Sequence, residues 1–418
     1  MTELLERSPF DPATQRRIVI VADWLPPDFG AVGQYMQMRA RALAGQGHDL
    51  TLVGLSSKES SIYRETIASG SLTEVRFAAR PVPRGSLAGR LLWTIWTNLR
   101  LVFGALGYLR AADGILFTGS PPFLIHLLVP LKFLWKGKLI YRITDFHPEC
   151  LIAAQERPSR MLLSLLSLTN FWRRRVDGFE VLGEDQMRRL RATGIRQERI
   201  VLVRDGAPVT FGAIQEPYPI PADLASACIL LYSGNYGVAH EVETVFEGYL
   251  RHHRDGTGRV RLWLSAAGSG TEELVRRFAA AGLPFHRSGP VPLERLPALL
   301  VSPDAHLVTL KDGFVGFVMP SKVYACIDSG KPIIFVGSAD SDVDLLSRRA
   351  KIPYWRISCG DPAALAVSLE ELADRSGKSF QPRWIAHRSW RCPMPASSRS
   401  SPTTRSSSCI GRARRVTW

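Results

Sequence analysis

The chain has 418 residues, of which 45% are hydrophobic and 22% are charged. This length and composition are typical of a globular protein with about two or three domains, and they exclude a short disulfide-stapled scaffold and a wholly disordered chain. Lysine and arginine number 53 against 38 acidic residues, and the resulting formal net charge of +15 implies an anionic partner such as nucleic acid, anionic lipid or a phosphorylated substrate.

The cysteine pattern and the N-terminal segment both favour the cytoplasm. Six cysteines are scattered along the chain without a C-x-x-C pair, so neither a disulfide framework nor a zinc site is indicated. Residues 1–16, an N-terminal extension, lack the uninterrupted apolar stretch of a secretory signal. We therefore expect a protein that stays in a reducing cytoplasm.

A first α/β alternation begins at Arg17. The run IVIVAD predicts a buried strand, WLPPDFGAVG a loop, QYMQMRARALAGQG a helix that ends at Gly47, and DLTLVGL a second strand. This is one βαβ unit of a parallel sheet. Further strand-like runs follow at Gly114–Thr118, Leu139–Thr144, Gly178–Leu182 and Ile200–Val203. Residues 17–205 therefore predict a Rossmann-like N-terminal domain.

The most hydrophobic region is Leu87–Trp135. Within it, Leu91–Leu109 approaches the length of about 20 residues that spans a bilayer. Asn98 and Arg100 lie in its middle, however, and a central arginine costs about 2.5–3.5 kcal/mol on the insertion scale. We expect a helix that lies on a membrane surface or packs in a core.

A linker and a second alternation follow. Residues 206–226 contain four prolines and no clear periodicity, which is typical of a linker. Residues 227–375 then predict a second α/β domain like the first, with a hinge between the two. Its predicted strands are Ile229–Ser233, Val260–Ala266, Ala305–Leu310 and Ile333–Val336, and its predicted helices are Glu241–His252, Glu272–Ala281 and Ser321–Ser329.

The amino-acid composition changes in the tail, residues 376–418. From Ser389 onward it has eight serines, six arginines and no acidic residue, a composition that cannot bury a core, so we expect disorder there. A native RNA-binding arginine–serine arm and a reading-frame change near the end of the gene both remain open. Because the composition changes abruptly, the reading-frame change is the favoured interpretation.

Glycine-bearing loops follow the first strand of each predicted domain. Gly30 and Gly33 open the first helix, whereas Gly234 and Asn235 lie in SGNYGVAH, which ends at His240. Backbone N–H groups at a helix N-terminus favour phosphate, and open α/β sheets bind ligands at the carboxyl ends of their strands. A tight turn and an ordinary helix-terminal histidine are the alternatives.

The segment MPSKVYACIDSGKPII carries a lysine in the first turn of a short predicted helix. Ser321 can cap this helix, and Gly330 can end it in the left-handed conformation. The cation of Lys322 is unfavourable at a helix N-terminus unless an anion binds there as well. The mismatch favours a bound phosphate over a solvated lysine.

Three ionisable residues follow the strand LIYRIT in the motif DFHPE. Asp145, His147 and Glu149 stand where catalytic groups of α/β proteins are found. Because Pro148 also favours a turn with solvated charges, that alternative remains open.

Together, GHDLTLVGL, Ser120-Pro121-Pro122, DFHPE, YSGNYG and above all PSKVYACIDSGKPII resemble the family 4 glycosyltransferases of the GT-B fold. The closest branch builds bacterial surface polysaccharides such as colanic acid or O-antigen. The resemblance covers roughly residues 17–375. It implies two Rossmann-like domains that face each other across a cleft, with a nucleotide-sugar donor held mainly by the C-terminal domain and an acceptor held mainly by the N-terminal domain. It also implies transfer with retention of configuration, no cofactor and no obligatory metal.

The resemblance also assigns residues. It places Gly30 and Gly33 near the donor phosphates and the acceptor, and Asp145 or His147 beside the transferred sugar. Lys322 would contact the diphosphate, together with Ser321 and the loop that carries Gly234.

Two departures from the family pattern bear on donor affinity and nucleotide identity. Ala325 stands where many relatives carry a glutamate for the nucleotide ribose. Asn235 and His240 stand where many relatives carry an arginine and a lysine for the diphosphate.

Relatives of this kind commonly act on a sugar linked to a polyprenyl diphosphate at the inner leaflet. The stretch Leu87–Trp135 and the run Phe171–Arg175 supply apolar side chains and arginines that suit an anionic membrane surface. We therefore expect a cytoplasmic enzyme that is peripherally associated with the inner membrane.

Three other functions remain open. A nucleotide-sugar 2-epimerase shares the GT-B fold but would require more cleft carboxylates than the sequence places. A catalytically silent nucleotide-sugar-binding protein is consistent with Ala325. A nucleic-acid binder would account for the charge, but no stacking-aromatic motif or recognition helix is visible outside the tail, so no nucleic-acid partner is expected.

Overall fold

The computed structural model describes residues 16–28, 30–80, 87–212 and 215–377. The N-terminal extension up to residue 15 and the chain from residue 378 lie outside this range. The predictions made for the serine- and arginine-rich tail therefore fall on residues that are not described.

The N-terminal domain is built on a sheet that has eight strands in the described part of the chain, in the order β3-β4-β2-β1-β5-β6-β7-β8. All pairings are parallel except β3 with β4, a hairpin at the sheet edge that was not predicted. The strands are β1 Arg17–Trp24, β2 Asp49–Ser56, β3 Ser61–Ile67, β4 Gly70–Ala78, β5 Gly114–Thr118, β6 Lys138–Ile143, β7 Gly178–Val181 and β8 Ile200–Leu202.

Helices cover both faces of this sheet. Val19 and Val21 of β1 pack into one core, and Ile18 and Ile20 pack into a second core on the opposite face. A strand buried on both faces needs a near-continuous apolar sequence, as IVIVA is. The helices are α1 Ala31–Gly45, α2 Leu87–Gly104, α3 Leu106–Ala111, α4 Ile125–Leu128, α5 Glu149–Ala153, α6 Arg160–Arg173 and α7 Glu184–Ala192.

The C-terminal domain repeats this plan with a fully parallel sheet in the order β11-β10-β9-β12-β13-β14. Its strands are β9 Cys228–Asn235, β10 Val260–Ala267, β11 Phe285–Ser288, β12 Ala305–Thr309, β13 Ile333–Val336 and β14 Tyr354–Ile357. Its helices are α8 Glu243–Arg254, α9 Ser269–Ala280, α10 Leu296–Val301, α11 Lys322–Asp328, α12 Asp342–Arg349 and α13 Pro362–Ser376. The structure thus confirms the prediction of two α/β domains.

The helix expected at Leu91–Leu109 differs from the prediction in its limits. It begins at Leu87 and is interrupted at Ala105, so that α2 and α3 are separate helices. One side of α2 packs into the core through Leu101 and Val102, and Asn98 Nδ2 donates to the Pro122 carbonyl at 2.9 Å. Among the described helices, none is both long and apolar enough to cross a bilayer.

The two domains are joined by a loop that follows β12. The backbone N–H of Phe146 donates to the Phe317 carbonyl at 2.9 Å, and Asp145 forms a β-bridge with Val318. Arg189 on α7 donates from Nε to the Val315 carbonyl at 3.1 Å. The loop therefore brings a segment of the C-terminal domain into contact with the DFHPE motif.

A second junction joins the N-termini of α7 and α12. The N–H of Glu184 donates to Asp342 Oδ1 at 2.8 Å, and the N–H of Asp342 donates to Asp185 Oδ2 at 3.1 Å. Arg204 donates from Nη2 to Asp342 Oδ2, also at 2.8 Å. Each helix is thus capped by a carboxylate at the N-terminus of the other, an arrangement that also complements both helix dipoles.

Gly33 allows α1 to approach the end of β1 closely. A Cβ atom at this position would lie 1.8 Å from the Trp24 carbonyl oxygen and 2.8 Å from its carbonyl carbon. Backbone atoms cannot yield as a flexible side chain can. Only glycine therefore fits at position 33 without displacing the helix.

We expect Gly33→Ala to destabilise the protein by about 1–3 kcal/mol or more, because the added methyl group overlaps backbone atoms. Thermal unfolding of the full chain measures this. Gly45→Ala is the matched control, since it changes the last residue of the same helix and its Cβ would meet no atom within 4 Å. An unchanged melting temperature for Gly33→Ala would contradict the assigned packing.

Candidate functional site

Acidic side chains meet at the carboxyl edge of the N-terminal sheet. Asp23 lies near the end of β1, Ser120 follows β5 and Asp145 follows β6, and these strands are neighbours. Ser120 Oγ donates to Asp23 Oδ2 at 2.6 Å. Asp23 Oδ1 is buried and has no hydrogen-bond partner within the described residues. A buried carboxylate oxygen without a donor is an open position for a ligand hydroxyl.

Burial raises the pKa of both carboxyls. The pKa of Asp145 rises to about 6, first because of burial and then because of the negative charge of Asp23. Burial likewise raises the pKa of Asp23 to about 6, and the Ser120 hydroxyl, which donates to Oδ2, partly opposes this rise together with nearby backbone N–H groups. Carboxyls with such pKa values can exchange a proton near neutral pH.

Asp23 was missed in the sequence analysis, although a signal was available. It is an acidic residue near the carboxyl end of a buried parallel strand, where open α/β sheets place ligands. Its proximity to Asp145 could not be read from the chain, because the two residues belong to strands separated in space by β5.

Within DFHPE, the structure separates Glu149 from the other two ionisable residues. Arg173 binds both carboxylate oxygens of Glu149, with Nη2–Oε2 at 3.0 Å, and also donates to the His147 carbonyl at 3.1 Å. Glu149 is therefore neutralised by an ion pair. Burial lowers the pKa of His147 to about 4, so the imidazole is neutral, and its Nδ1 has no partner in the described part of the chain.

Lys322 is the first residue of α11, and its ammonium group is buried. Part of the residue is accessible, but Nζ is not, and Nζ has no hydrogen-bond partner among the residues described. Nζ lies 3.3 Å from the centroid of the Tyr232 ring. Burial lowers the pKa of Lys322 to about 7. A buried cation that contacts an aromatic face and has no hydrogen-bond partner among the described residues can be matched by a bound anion.

Ser321 does not cap α11 as predicted. It occupies the N-cap position, but its side chain accepts no hydrogen bond from the helix, because its backbone is helical rather than extended. The Ser321 side chain instead lies near the Tyr35 hydroxyl and opposes the rise in the Tyr35 pKa caused by burial. This contact places α11 against α1. Gly330 has the left-handed φ of 72° that was predicted.

The end of β9 and the loop that follows it separate the other predicted phosphate ligands. Gly234 adopts a left-handed φ of 97° with open space around it, and Asn235 is exposed. His240 is buried, and its Nδ1 lies 2.7 Å from the Thr309 carbonyl. Burial and the charge of Lys322 lower the pKa of His240 to about 3, so it carries no positive charge at neutral pH. This argues against the predicted contact with phosphate, because Nδ1 is already used and Nε2 is then a bare acceptor.

Gly30 and Gly33 lie at the N-terminus of α1 beside Asp23. A Cβ at Gly30 would lie 3.2 Å from the Trp24 carbonyl oxygen and 3.8 Å from Asp23 Oδ1. Both glycines are thus accounted for by close packing on the end of β1. Their predicted role near donor phosphate stays a prediction, and an anion there would share the helix terminus with the Asp23 carboxyl.

Ala325 lies inside an apolar cluster. Its neighbours in this cluster include Ile229, Leu231 and Trp263, and the residue is 4% exposed. A glutamate in this position would bury its carboxylate among apolar side chains at a high cost in free energy.

The site therefore has two parts on facing sheet edges. The N-terminal domain contributes Asp23, Asp145 and neutral His147, and the C-terminal domain contributes Lys322. The Ser321–Tyr35 contact and the Asp145–Val318 bridge join them. Among the described residues, no group of three or more His, Cys, Asp or Glu side chains is arranged to hold a metal ion.

No family model matches the chain. The probable glycosyltransferase WbjE of Pseudomonas aeruginosa is 21% identical over 370 residues, which cover 86% of this chain and 90% of that protein. The relation extends over nearly the whole of both proteins and confirms the predicted enzyme class, a glycosyltransferase.

Solved structures share the architecture. A trehalose-phosphate synthase from Burkholderia xenovorans in complex with glucose-6-phosphate has a TM-score of 0.61 at 12% identity, with 86% of this chain and 93% of that chain covered. HepE of Anabaena in complex with UDP and glucose has a TM-score of 0.59 at 11% identity, covering 87% and 91%. WaaG, a glycosyltransferase involved in lipopolysaccharide biosynthesis, has a TM-score of 0.55 at 14% identity, covering 86% and 91%. These similarities confirm the GT-B fold.

We expect Lys322→Met to raise the melting temperature of the unliganded protein. Methionine keeps an apolar side chain on Tyr232 and removes the desolvated charge. Because burial lowers the Lys322 pKa from 10.5 to about 7, the wild-type penalty is complete below pH 7 and shrinks as the pH rises from 7 towards 10.5. The gain should therefore be larger at pH 6 than at pH 9.

Lys351→Met is the matched control, since Lys351 is an exposed lysine of the same domain. A melting temperature of Lys322→Met that falls below the wild-type value at pH 6 would show that the ammonium group is not destabilising in the free protein.

Proposed function

We propose that this glycosyltransferase moves a sugar, with retention of anomeric configuration, from a nucleotide-sugar donor to a saccharide carried on a lipid diphosphate in bacterial surface-polysaccharide synthesis. One observation carries the donor half of the proposal. The Lys322 ammonium is buried without a hydrogen-bonding partner among the described residues, at the start of a helix on the C-terminal side of the domain junction. A diphosphate supplies the missing anion.

The chemistry of the transfer requires such a cation. Negative charge develops on the leaving diphosphate as its bond to the sugar breaks, and a positioned cation in a site that excludes water stabilises that charge. A bound diphosphate also raises the pKa of Lys322 from about 7, so that the lysine is fully charged in the complex. The presence of UDP and glucose in the complex of the HepE relative supports a nucleotide-sugar donor.

The N-terminal carboxyls suit the acceptor. Asp23 Oδ1 has an unused acceptor position, and Asp145 lies beside it. Such groups accept hydrogen bonds from sugar hydroxyls. In a retaining transfer the leaving diphosphate itself helps to deprotonate the acceptor hydroxyl, so these carboxyls need only orient it.

Exposed apolar side chains support peripheral association with a membrane. On α2, Leu91, Leu92 and Phe103 are more than half exposed, at 57%, 67% and 52%. Met161 and Phe171 are exposed on α6, where the Arg175 guanidinium lies 3.4 Å from the Phe171 ring centroid. Apolar side chains beside arginines are typical of proteins that dock on anionic bilayers, and they fit an acceptor embedded in the inner leaflet.

A 2-epimerase acting on a nucleotide sugar is the second candidate, and one observation favours it. The Asp23–Asp145 pair supplies two cleft carboxyls with raised pKa values, the kind of group that the sequence alone did not place. Such an enzyme would convert its donor without any acceptor.

A thermal-shift panel of UDP-, GDP- and TDP-sugars, followed by transfer to a lipid-diphosphate sugar, tests the proposal. We expect one nucleotide class to stabilise the protein and NMR of the product to show the anomeric configuration of the donor. An inverted product contradicts retention. Epimerised donor in the absence of acceptor supports the second candidate, and stabilisation without turnover indicates a silent binding protein.

We expect Lys322→Ala to lower turnover by about 10²-fold or more, the effect of removing one preorganised charge-stabilising group. Initial rates under donor saturation measure this. Lys351→Ala removes the same charge from the exposed surface of the same domain and should retain normal turnover. Near-normal transfer by Lys322→Ala would refute the role given to Lys322.

We expect the double variant Leu91→Glu/Phe103→Glu to lose binding to vesicles that contain anionic lipid, because it places carboxylates on the exposed apolar surface of α2. Co-sedimentation measures this. Val367→Glu is the control, since Val367 is 59% exposed on α13 of the other domain. Binding that does not depend on anionic lipid, or that survives the double variant, would contradict membrane docking through α2.

A further inference from the structure

Segment 119–123, the first part of the connection from β5 to α4, lies against the N-terminal carboxyls of the candidate site. It follows β5, the strand between β1 and β6, and so begins at the sheet edge where Asp23 and Asp145 lie. Ser120 Oγ donates to Asp23 Oδ2 at 2.6 Å, and a Cβ at Gly119 would lie 3.0 Å from the Asp145 carbonyl oxygen. Segment 119–123 is therefore part of the site.

Phe123, the last residue of this segment, has a strained backbone. Its φ is 67°, in the left-handed region that only glycine, and occasionally asparagine or aspartate, adopts routinely. Among the described residues, Ala68 is the other non-glycine residue with a positive φ, and the tight turn of the β3–β4 hairpin accounts for it. No hairpin accounts for Phe123. Backbone strain of this kind is concentrated at active sites and ligand-binding sites.

The ring of Phe123 lies outside the hydrophobic cores. In the part of the chain that the structure describes, it belongs to none of the buried apolar clusters, whereas the next two residues, Leu124 and Ile125, pack into the first of them. The side chain is half-buried, and its ring centroid lies 6.0 Å from the imidazole of His147 and 6.0 Å from that of His126. Core packing therefore does not explain a phenylalanine in this strained position.

Buried polar atoms without hydrogen-bond partners adjoin the same segment. Asp23 Oδ1, Thr144 Oγ1 and His147 Nδ1 are buried and have no partner within the described residues. All three residues adjoin segment 119–123, through Ser120, Gly119 and Phe123 respectively. Buried polar atoms are normally satisfied by protein, water or ligand. Because a hydroxyl group both donates and accepts, a ligand that carries several hydroxyl groups can satisfy atoms of all three kinds.

Hydrogen bonds on both sides of Phe123 fix its backbone. Asn98 Nδ2 on α2 donates to the Pro122 carbonyl at 2.9 Å, and the N–H of His126 donates to the Phe123 carbonyl at 3.0 Å. The ring is thus held next to His147 before any ligand binds. A side chain that is already ordered loses little conformational entropy when it contacts a ligand.

We propose that Phe123 contacts the substrate as a platform for a pyranose ring, whose C–H face stacks on the phenyl ring while its hydroxyl groups bind Asp23 Oδ1 and His147 Nδ1. The electron-rich face of an aromatic ring attracts C–H groups that carry partial positive charge. A pyranose combines such an apolar face with a rim of hydroxyl groups, and so it matches both the ring and the unpartnered polar atoms. The inference rests on the sugar transfer of the proposed function and deepens it with a further residue that contacts substrate.

Fluorine NMR of the full chain labelled with 4-fluorophenylalanine tests the contact directly. The probes are glucose, galactose and mannose, followed by UDP-glucose, UDP-galactose and GDP-mannose. We expect at least one probe to shift the resonance of residue 123 in a saturable manner, and that resonance is identified by its absence from Phe123→Leu. Phe133, which is 79% exposed, is the control and should not shift. A residue 123 resonance that no probe shifts would overturn the inference.

We expect Phe123→Leu to lower kcat/KM for sugar transfer about tenfold or more, because leucine keeps an apolar side chain but lacks the aromatic face. Phe123→Tyr keeps the ring and should restore transfer. A raised acceptor KM would place the ring under the acceptor sugar. A lowered kcat, together with slower hydrolysis of the donor by water in the absence of acceptor, would place it under the transferred sugar. Normal transfer by Phe123→Leu would contradict the platform.

A second pair of variants separates binding from folding. Phe123→Asn removes the ring and relieves the strain, so it should transfer as slowly as Phe123→Leu but melt no lower than the wild type. Ala68→Asn relieves the same kind of strain outside the site and should transfer normally. If Phe123→Asn melts well below the wild type and transfers normally, the ring has a structural role and the inference fails.

Two further comparisons complete the test. If Phe123→Leu has no effect in a His147→Ala background, the ring acts only through the imidazole and does not contact the sugar. A residue 123 resonance that shifts with a hexose, in a protein that transfers no sugar from any donor, supports the platform and rejects the proposed function. Transfer that is normal in both Phe123→Leu and Phe123→Asn keeps the function and rejects the platform.

Discussion

The site depends on the junction that holds the carboxyl edges of the two sheets against each other. Asp342 accepts hydrogen bonds from the N–H of Glu184 and from Arg204, and Asp185 accepts one from the N–H of Asp342. Because each carboxylate caps the helix of the other domain, each helix loses a hydrogen bond at its N-terminus if the domains separate. This reciprocal capping, together with the Phe146–Phe317 contact, sets the position of Lys322 relative to Asp145.

The buried charges that stabilise the fold are paired with residues of opposite charge, and this distinguishes them from the buried charges of the site. Arg142 is fully buried between Glu180, at 2.8 Å, and Asp205, and Arg173 is paired in the same way with Glu149. Removing one partner from such a pair leaves an uncompensated buried charge, so these groups are needed for the fold. Lys322 Nζ and Asp23 Oδ1 are also buried, but their partners are not among the described residues. A ligand that spans the junction can supply both.

The fold could be predicted from the sequence because its main signals are local. The run IVIVA encodes a strand buried on both faces, and DFHPE and PSK lie at strand and helix ends that the sequence itself marks. The β3–β4 hairpin was missed because its edge strand is largely exposed and has little apolar periodicity. The proximity of Asp23 to Asp145 and the burial of His240 could not be predicted, since they depend on which strands become neighbours and on which side chains cover them.

Two positions of the C-terminal part of the site, Ala325 and His240, lack a charged group that could bind a nucleotide-sugar donor. The position lies in an apolar cluster with Ile229 and Trp263, so it offers no carboxylate to a nucleotide ribose. His240 is neutral and hydrogen-bonded to Thr309, so it offers no second cation to a diphosphate. Binding of the proposed donor must then depend more on Lys322 than in relatives that carry these groups. Because a lysine with a pKa of about 7 is only partly charged in the free protein, we expect binding of the proposed donor to draw a proton from solution and to weaken as the pH rises above 7.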